Sequence, residues 1–405
     1  MSKKRSVAVF TGNRAEYGLL YPLLKELKGN KNIDFRLMVS GAHLDPSFGN
    51  TIRDIEKDGL KVDKEIKISL EMSCLSSTSK AIGSAILSIA EALEEIKPDI
   101  FVVYADRFEG FAATIAASQM SIPTAHIEGG DITEGGAFDD SVRHAMTKLA
   151  HLHFTTNSQS ANRVIGMGEE PWRVHNVGFT GIDLICEGRV TPKNELIAKY
   201  NLDLLKPIVL FTLHSVGVEF SETKAHMEAS LVALKALAEE NIQVLITYPN
   251  NDVGSQEIIE SILTWQAQYS NPNVQVHKSL GQANYYGILA LAKNPRYKVA
   301  CVGNSSSGLK ETPAFLCPTV NIGTRQRGRL CAENVLDANY STEDILEKVK
   351  IALFDKDFRE ICAHVANPYG KGNASKKMVE ILSNIEINPK LLTKKMTLSG
   401  VGIHV

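Results

Sequence analysis

The chain has 405 residues, 44% of them hydrophobic, with 44 Lys plus Arg against 46 Asp plus Glu and a formal net charge of -2. That length buries a sizeable core in two or three domains, and the balanced charge excludes a nucleic-acid surface or a polybasic membrane patch. No apolar run approaches membrane-spanning length, the opening MSKKRSVAVF lacks a signal peptide's apolar core, and Cys74, Cys186, Cys301, Cys317, Cys331 and Cys362 show no close pair with metal spacing, so a reduced cytoplasmic protein is expected.

Strand and helix patterns alternate from the start. Ser6-Val-Ala-Val-Phe-Thr11 reads as a strand, Tyr17 to Leu27 as a helix by its apolar spacing, and Phe35 to Ser40 as the next strand. A helix from Ser79 to Ile96 ends before Pro98, followed by the strand Ile100 to Tyr104, a helix over Gly110 to Gln119 and the strand Ile122 to Ile127. Leu152 to Thr156 and Val174 to Val177 complete a parallel, doubly wound sheet. Between Cys186 and Lys206 the strand pattern lapses, and a domain boundary is expected there. A second series follows, with strands at Ile208 to Leu213, Val244 to Tyr248, Val274 to His277, Val299 to Val302 and Thr319 to Ile322. The expected fold is therefore α/β, with two Rossmann-like domains (residues 1–186 and 187–380), a central cleft and a tail or arm over 381–405.

The stretch His126 to His144 concentrates the chemistry. Glu128 ends a strand, where open α/β sheets bind ligands, Gly129, Gly130, Gly135 and Gly136 free the backbone, and Asp139 or Asp140 caps a helix that carries Arg143, His144 and Lys148. A capped helix with solvated charges is the plain alternative. Clustering with Asp106 and Arg107 at the end of an earlier strand favours a reactive site. Glu16 reads as a helix-start charge complementing the helix dipole, and His151 and His153 have no partner at metal spacing.

The usual phosphate loops are missing: neither Gly-x-Gly-x-x-Gly after the first strand nor a Walker loop occurs. Instead, Gly303-Asn-Ser-Ser-Ser-Gly308 joins a strand to a helix and is followed by Glu311, placed to accept from a ribose diol. A Ser-rich helix start alone is more often a plain cap. Arg14 in the first strand-to-helix loop and Arg325 at a later strand end add two guanidiniums that suit a pyrophosphate, while His214, Asn250 and Asp252 stand at other strand ends.

These residues together carry a family resemblance. Asn13-Arg-Ala-Glu-Tyr17, Ala105-Asp-Arg-Phe108, His126-Ile-Glu-Gly-Gly130, Phe138-Asp-Asp-Ser-Val-Arg-His-Ala145, Val302-Gly-Asn-Ser-Ser306 and Asn321-Ile-Gly-Thr-Arg-Gln326, in this order from Val7 to Ile381, resemble the hydrolysing UDP-N-acetylglucosamine 2-epimerases of sialic and related nonulosonic acid synthesis. The resemblance implies a glycosyltransferase-B-like architecture that binds a sugar nucleotide. It implies catalysis by Asp106, Glu128, Asp139 and Asp140, with His214 aiding departure of the diphosphate. It implies UDP contacts from Arg14, Arg107, Asn250, Asp252, Ser305, Ser306, Glu311 and Arg325, and Arg143 is counted with these cations. The implied reaction is removal of the C2 proton as UDP leaves C1, then hydration of the glycal, without metal or nicotinamide. A homodimer or homotetramer is expected.

Two departures bear on the substrate. Ser215 stands where Pro often follows the histidine, and the loop Asp131 to Ala137 is longer than in the animal enzymes. A similar branch of the family acts on UDP-2,4-diacetamido-2,4,6-trideoxyglucose on the legionaminic acid route, and both substrates stay open. With no sugar-kinase segment in the sequence, a stand-alone bacterial type is expected. The rival readings are a glycosyltransferase of the same fold, a non-hydrolysing epimerase and an inert sugar-nucleotide binder.

Overall fold

In the computed structural model, the described residues are 4–46, 49–68, 76–133, 138–250 and 254–398. They form two compact units. The first comprises Met1–Asp131, Phe138–Asp183 and Gly370–Val405, and the second Ile132–Ala137 and Leu184–Tyr369.

The first unit is built on seven strands: β1 (Arg5–Thr11), β2 (Ile33–Ser40), β3 (Lys64–Ile66), β4 (Ile100–Tyr104), β5 (Thr124–Ile127), β6 (Leu152–Thr155) and β7 (Val174–Asn176). All pair in parallel, in the order β3-β2-β1-β4-β5-β6-β7. Because side chains alternate along a strand, Val7 and Val9 of β1 join Ile100, Val102 and Tyr104 of β4 in one core. Ala8, Phe10, Phe101 and Val103 enter the opposite core with Ala112, Ala113 and Ala116 of the helix Phe108–Gln119. Double-sided burial is why these strands read as continuous apolar runs.

The second unit repeats the plan with β8 (Ile208–Thr212), β9 (Gln243–Thr247), β10 (Val274–His277), β11 (Val299–Gly303), β12 (Thr319–Ile322) and β13 (Val335–Ala338). Their order is β10-β9-β8-β11-β12-β13, again all parallel. In each unit the strand order reverses once, between β1 and β4 and between β8 and β11. Such switch points are where doubly wound sheets open a crevice at their carboxyl ends.

Two features differ from the sequence reading. The division falls after Asp183 rather than at 186, and the helix Ala374–Asn384 belongs to the first unit, not to the end of the second. Its Ala374, Met378, Val379 and Leu382 pack into the core that holds Leu20, Leu23, Leu24 and Leu27 of the helix Arg14–Gly29. Part of the segment expected as a tail is tied down as well. The buried Arg173 guanidinium donates to the carbonyls of Lys390, Leu391 and Thr393 at 2.6–3.0 Å. Among the described residues, no helix is long and apolar enough to cross a membrane.

Candidate functional site

At the switch point of the first unit, two neighbouring strands end in strained backbone. Ala105 after β4 has φ 54 and Glu128 after β5 has φ 63, conformations unfavourable for residues with a Cβ and characteristic of functional sites. Hydrogen bonds hold both in place, Ala105 N–H to Ile127 O at 3.0 Å and Glu128 N–H to Phe154 O at 2.9 Å. His126 is a further strut, with Nε2 2.7 Å from Ala105 O and Nδ1 3.1 Å from Thr147 Oγ1. Burial lowers its pKa to about 3, so it is neutral and donates from Nε2. Gly130, at φ 78, sits against the Ser160 carbonyl, 2.3 Å from where a Cβ would stand, so only glycine fits this turn.

This scaffold gathers the carboxylates. Glu128 Oε1 accepts from Tyr104 Oη at 2.6 Å, and burial, reinforced by Glu128, raises the tyrosine pKa well above its ordinary value, so the phenol stays a donor. Asp139 and Asp140 lie in the first turn of the helix Phe138–Leu149, inside it rather than capping it. Arg143, one turn on, is buried and donates to Asp140 Oδ1 and to Asp131 O, both at 2.7 Å, and to Asp106. Burial opposes its charge, but Asp106, Asp131, Asp140 and Glu128 outweigh burial and raise its pKa. Arg143, counted from sequence with the nucleotide-binding cations, is therefore an organiser of the acid cluster. Arg107 is half exposed and contacts Glu109 at 3.4 Å, and Arg14 is mostly exposed beside Asp54 at 3.7 Å.

At the switch point of the second unit, a cavity of about 270 Å3 is lined by His214, Asn250, Ser305, Glu311, Tyr285 and Tyr286, among others. Gly303, at φ 129, brings the end of β11 so close to β8 that a Cβ would lie 1.9 Å from Thr212 O. The next residue, Asn304, then clamps the neighbouring loop, accepting from His214 N–H at 2.6 Å and donating to His214 O at 2.8 Å. His214 Nδ1 accepts the Asn250 N–H at 3.1 Å. Burial, with the nearby Arg325 charge, lowers its pKa to about 3. The imidazole is thus neutral with its proton on Nε2, a fixed donor rather than a cation. Arg325 Nη1 and Gln326 Nε2 both donate to Asn304 O, at 3.4 and 2.7 Å. Glu311 accepts from Tyr286 Oη at 2.8 Å and from Ser307 Oγ. Ser305 and Ser306 lead into the one-turn helix Ser307–Lys310. Asp252 lies outside the described residues. A larger groove, about 480 Å3, runs between the helices Thr223–Glu239 and Ser255–Gln268, but no strand end opens into it and Glu228, Glu257 and Glu260 line it, a poor match for a diphosphate.

Comparison with known proteins identifies the family. The family model described as UDP-N-acetylglucosamine 2-epimerase matches residues 25–383. The chain belongs to the UDP-N-acetylglucosamine 2-epimerase family. Within it, the chain is 33% identical over 390 residues to the UDP-N,N'-diacetylbacillosamine 2-epimerase (hydrolyzing) of Legionella pneumophila, covering 96% of this chain and 98% of that one. It is 32% identical over 358 residues to the GDP/UDP-N,N'-diacetylbacillosamine 2-epimerase (hydrolyzing) of Campylobacter jejuni, covering 88% and 89%. The UDP-GlcNAc 2-epimerase of Neisseria meningitidis, solved bound to UDP-GlcNAc, superposes with a TM-score of 0.76 at 21% identity over 93% of this chain and 99% of that one, so the fold is the glycosyltransferase-B-like α/β pair expected from sequence. In this 2-epimerase family member, sequence reasoning passed over Tyr104, Asn304, Gln326 and Tyr286. Asn304 and Gln326 lie inside motifs already recognised, next to Ser305 and Arg325, and their polarity was the available signal; Tyr286 lies on the helix Gln282–Ala290, whose sequence carries none.

Proposed function

We propose that the protein is a hydrolysing 2-epimerase that converts a UDP-2-acetamido sugar to UDP and the free 2-epimeric sugar. The observation that carries this reading is the carboxylate cluster at the ends of β4 and β5, where Asp106 and Glu128 follow strained residues or are strained themselves, supported by Tyr104 and Arg143. Sugar transfer or mere binding has no use for so many acids beside an anionic substrate. The C2 hydrogen is weakly acidic, so a carboxylate must take it as the C1–O bond to UDP breaks and the C2–H electrons form the C1=C2 bond. Water then adds its hydroxyl to C1, and a carboxylic acid returns a proton to C2 from the opposite face. Asp106, Glu128, Asp139 and Asp140 are assigned to these proton transfers.

The second unit serves the leaving group. Arg325, Ser305, Ser306 and the His214 Nε2–H are assigned to the diphosphate, with Glu311 and Asn250 about the nucleoside. Arg14, Arg107 and Asp252 complete the nucleotide contacts. A preorganised donor in such a site contributes about 3 kcal/mol to transition-state stabilisation. Neutral His214 suits the task, because it donates without needing a proton from solvent. We assign the protein to the cytoplasm as a homodimer or homotetramer, a state that light scattering reads directly.

UDP-N-acetylglucosamine, giving N-acetylmannosamine for sialic acid synthesis, is one substrate that fits. UDP-2,4-diacetamido-2,4,6-trideoxyglucose, on the legionaminic acid route, is favoured by the higher identity to the diacetylbacillosamine enzymes than to the Neisseria meningitidis UDP-N-acetylglucosamine 2-epimerase, 33% and 32% against 27%. The test is turnover of each in D2O. The proposal expects free UDP and a manno-configured sugar bearing deuterium at C2, and the ratio of kcat/KM values names the substrate. Protium retained at C2 in a released sugar overturns the mechanism, and deuterium at C2 of a sugar still attached to UDP makes the enzyme a non-hydrolysing epimerase.

A further inference from the structure

In the second unit, one segment has its side chains the wrong way round for packing. The 3-10 turn Gly217–Glu222, between β8 and the helix Thr223–Glu239, leaves Val218 76% and Phe220 44% exposed, while the Glu219 side chain between them is 22% exposed. Apolar burial gives this segment little hold. Its acid supplies the hold instead. Glu219 Oε1 accepts from Thr324 Oγ1 at 2.5 Å and Oε2 from Tyr340 Oη at 2.7 Å, and hydrogen bonds to an ionised acceptor are the strong ones.

Both donors belong to the turn that carries Arg325 or brace it. Thr324 opens that turn, its carbonyl accepting the Arg327 N–H at 2.8 Å, so Arg325 and Gln326 are the two central residues. From these positions their side chains reach Asn304 O. Tyr340, just past β13, accepts the Thr324 N–H at 3.4 Å through the same hydroxyl that donates to Glu219. Burial, then the bond to Glu219, raises the Tyr340 pKa to about 12, so the phenol keeps its proton. The ring lies so close to Gly323, at φ 75, that a Cβ there would stand 2.0 Å from Tyr340 Cζ. His226, on the helix Thr223–Glu239, stacks on the same ring with centroids 3.4 Å apart.

We propose that Glu219 is a positioning residue for the diphosphate, tying the loop that carries His214 to the turn Thr324–Arg327 and so holding Arg325 at the carboxyl end of β12. This rests on the assignment of Arg325 and His214 to the leaving group. The tie closes a ring of three loops. Asn304, after β11, clamps the His214 backbone, Arg325 and Gln326, after β12, donate to Asn304 O, and Glu219, after β8, holds Thr324. A guanidinium fixed before the substrate arrives has less freedom to lose on binding and needs no reorganisation as charge develops on the departing diphosphate. Releasing Glu219 frees the turn and leaves the residues about the nucleoside, Glu311 and Asn250, with their own partners. The loss therefore falls on the phosphates.

Glu219→Ala in the full chain is expected to weaken UDP binding about tenfold in calorimetry and to leave uridine, titrated by NMR, within about twofold of wild type. Glu219→Gln still accepts from Tyr340 and donates to the Thr324 hydroxyl, so it is expected to bring UDP affinity back to within about threefold of wild type. Added to Arg325→Ala, Glu219→Ala is expected to cost less than about twofold more, because both act through one guanidinium. In the ligand-free protein, hydrogen exchange at the amides of 323–327 is expected to be about tenfold faster in E219A, with the helix Thr342–Phe354 unchanged. Wild-type UDP affinity in E219A, an equal loss for uridine and UDP, or full additivity with R325A overturns the inference. Should E219A fail to fold, Thr324→Ala removes one donor from the other side and is expected to weaken UDP about threefold with uridine unchanged; wild-type UDP affinity there overturns the inference as well. If Arg325→Ala alone leaves UDP affinity unchanged, the diphosphate assignment in the proposed function falls instead, and exchange at 323–327 still decides whether Glu219 holds the turn.

Discussion

Arg143 and Asp106 stand 37 residues apart in sequence and form one ion pair, with the guanidinium 3% and the carboxylate 21% exposed. The same guanidinium holds Asp140, so a single cation orders acids from the end of β4 and from the helix Phe138–Leu149. Removing it strands both charges. Arg143→Met is expected to destabilise the protein by roughly 3–5 kcal/mol, the range for breaking a buried pair from one side. A urea midpoint equal to wild type would contradict the buried pair.

Asp106→Asn keeps the shape and removes the charge. Turnover is expected to fall by about 10²–10⁴-fold, the usual contribution of a positioned acid or base, with UDP affinity preserved. Glu128→Gln and Asp139→Asn should behave alike. Near wild-type rates in all three variants, measured as UDP release, would remove the carboxylates from the mechanism.

For the second unit, Arg325→Ala should weaken UDP binding by about 10- to 100-fold, the loss of one charged hydrogen-bond donor. Ser305→Ala should cost less, on the order of 1 kcal/mol. Calorimetry on the two variants checks the order, and unchanged affinity in both would move the diphosphate elsewhere.

Stability should fall in mild acid. Burial lowers the folded pKa of His126 and His214 to about 3, and of His43, His151 and His153 to about 4. Below about 6.5 the unfolded chain takes up protons on these rings that the native state refuses, so their contribution is full above that value and is lost as pH falls toward 4 or 3. Each ring contributes up to about 1.4 kcal/mol per pH unit in that window. Urea unfolding at about pH 7 and about pH 5 should show a clear drop, and a flat profile would mean that the histidines are solvated. UDP binding, assigned in part to neutral His214, should persist over the upper part of this window.

Lys394 caps the far end of the helix that carries the acids. Its Nζ donates to the carbonyls of Thr147, Lys148 and Ala150 at 3.2, 2.7 and 2.5 Å and pairs with buried Glu169 at 2.8 Å. Lys394→Met leaves those acceptors unmet and is expected to cost about 2–4 kcal/mol. A melting temperature within a degree or so of wild type would show that the cap is idle.

Much of this was legible in the sequence, for physical reasons. The strands β4, β5, β8 and β11 are buried on both faces and read as apolar runs, and the residues just past them, Asp106, Glu128, His214 and Ser305, could be placed at strand ends before any coordinates. Two of the sheet edges were harder. Lys64-Glu-Ile66 has three residues, two of them charged, and Val335-Leu-Asp-Ala338 only four, so β3 and β13 carry little periodic signal. Partners distant in sequence were invisible: nothing local in Arg143 points to Asp106. The helix Ala374–Asn384 follows the second series of strands in sequence, yet its apolar face matches the helix Arg14–Gly29 on the first sheet.

That last pairing governs how the protein emerges from the ribosome. The contiguous body of the second unit, Leu184–Tyr369, is fully synthesised while the first still lacks Met378, Val379, Leu382 and Leu391 from its core. Until Ala374–Asn384 is made, the part of the core beside the helix Arg14–Gly29 that those residues fill stays open. The nascent chain therefore carries an open apolar surface throughout synthesis of the second unit's body, and this surface is a site for a chaperone, or for aggregation where none is present.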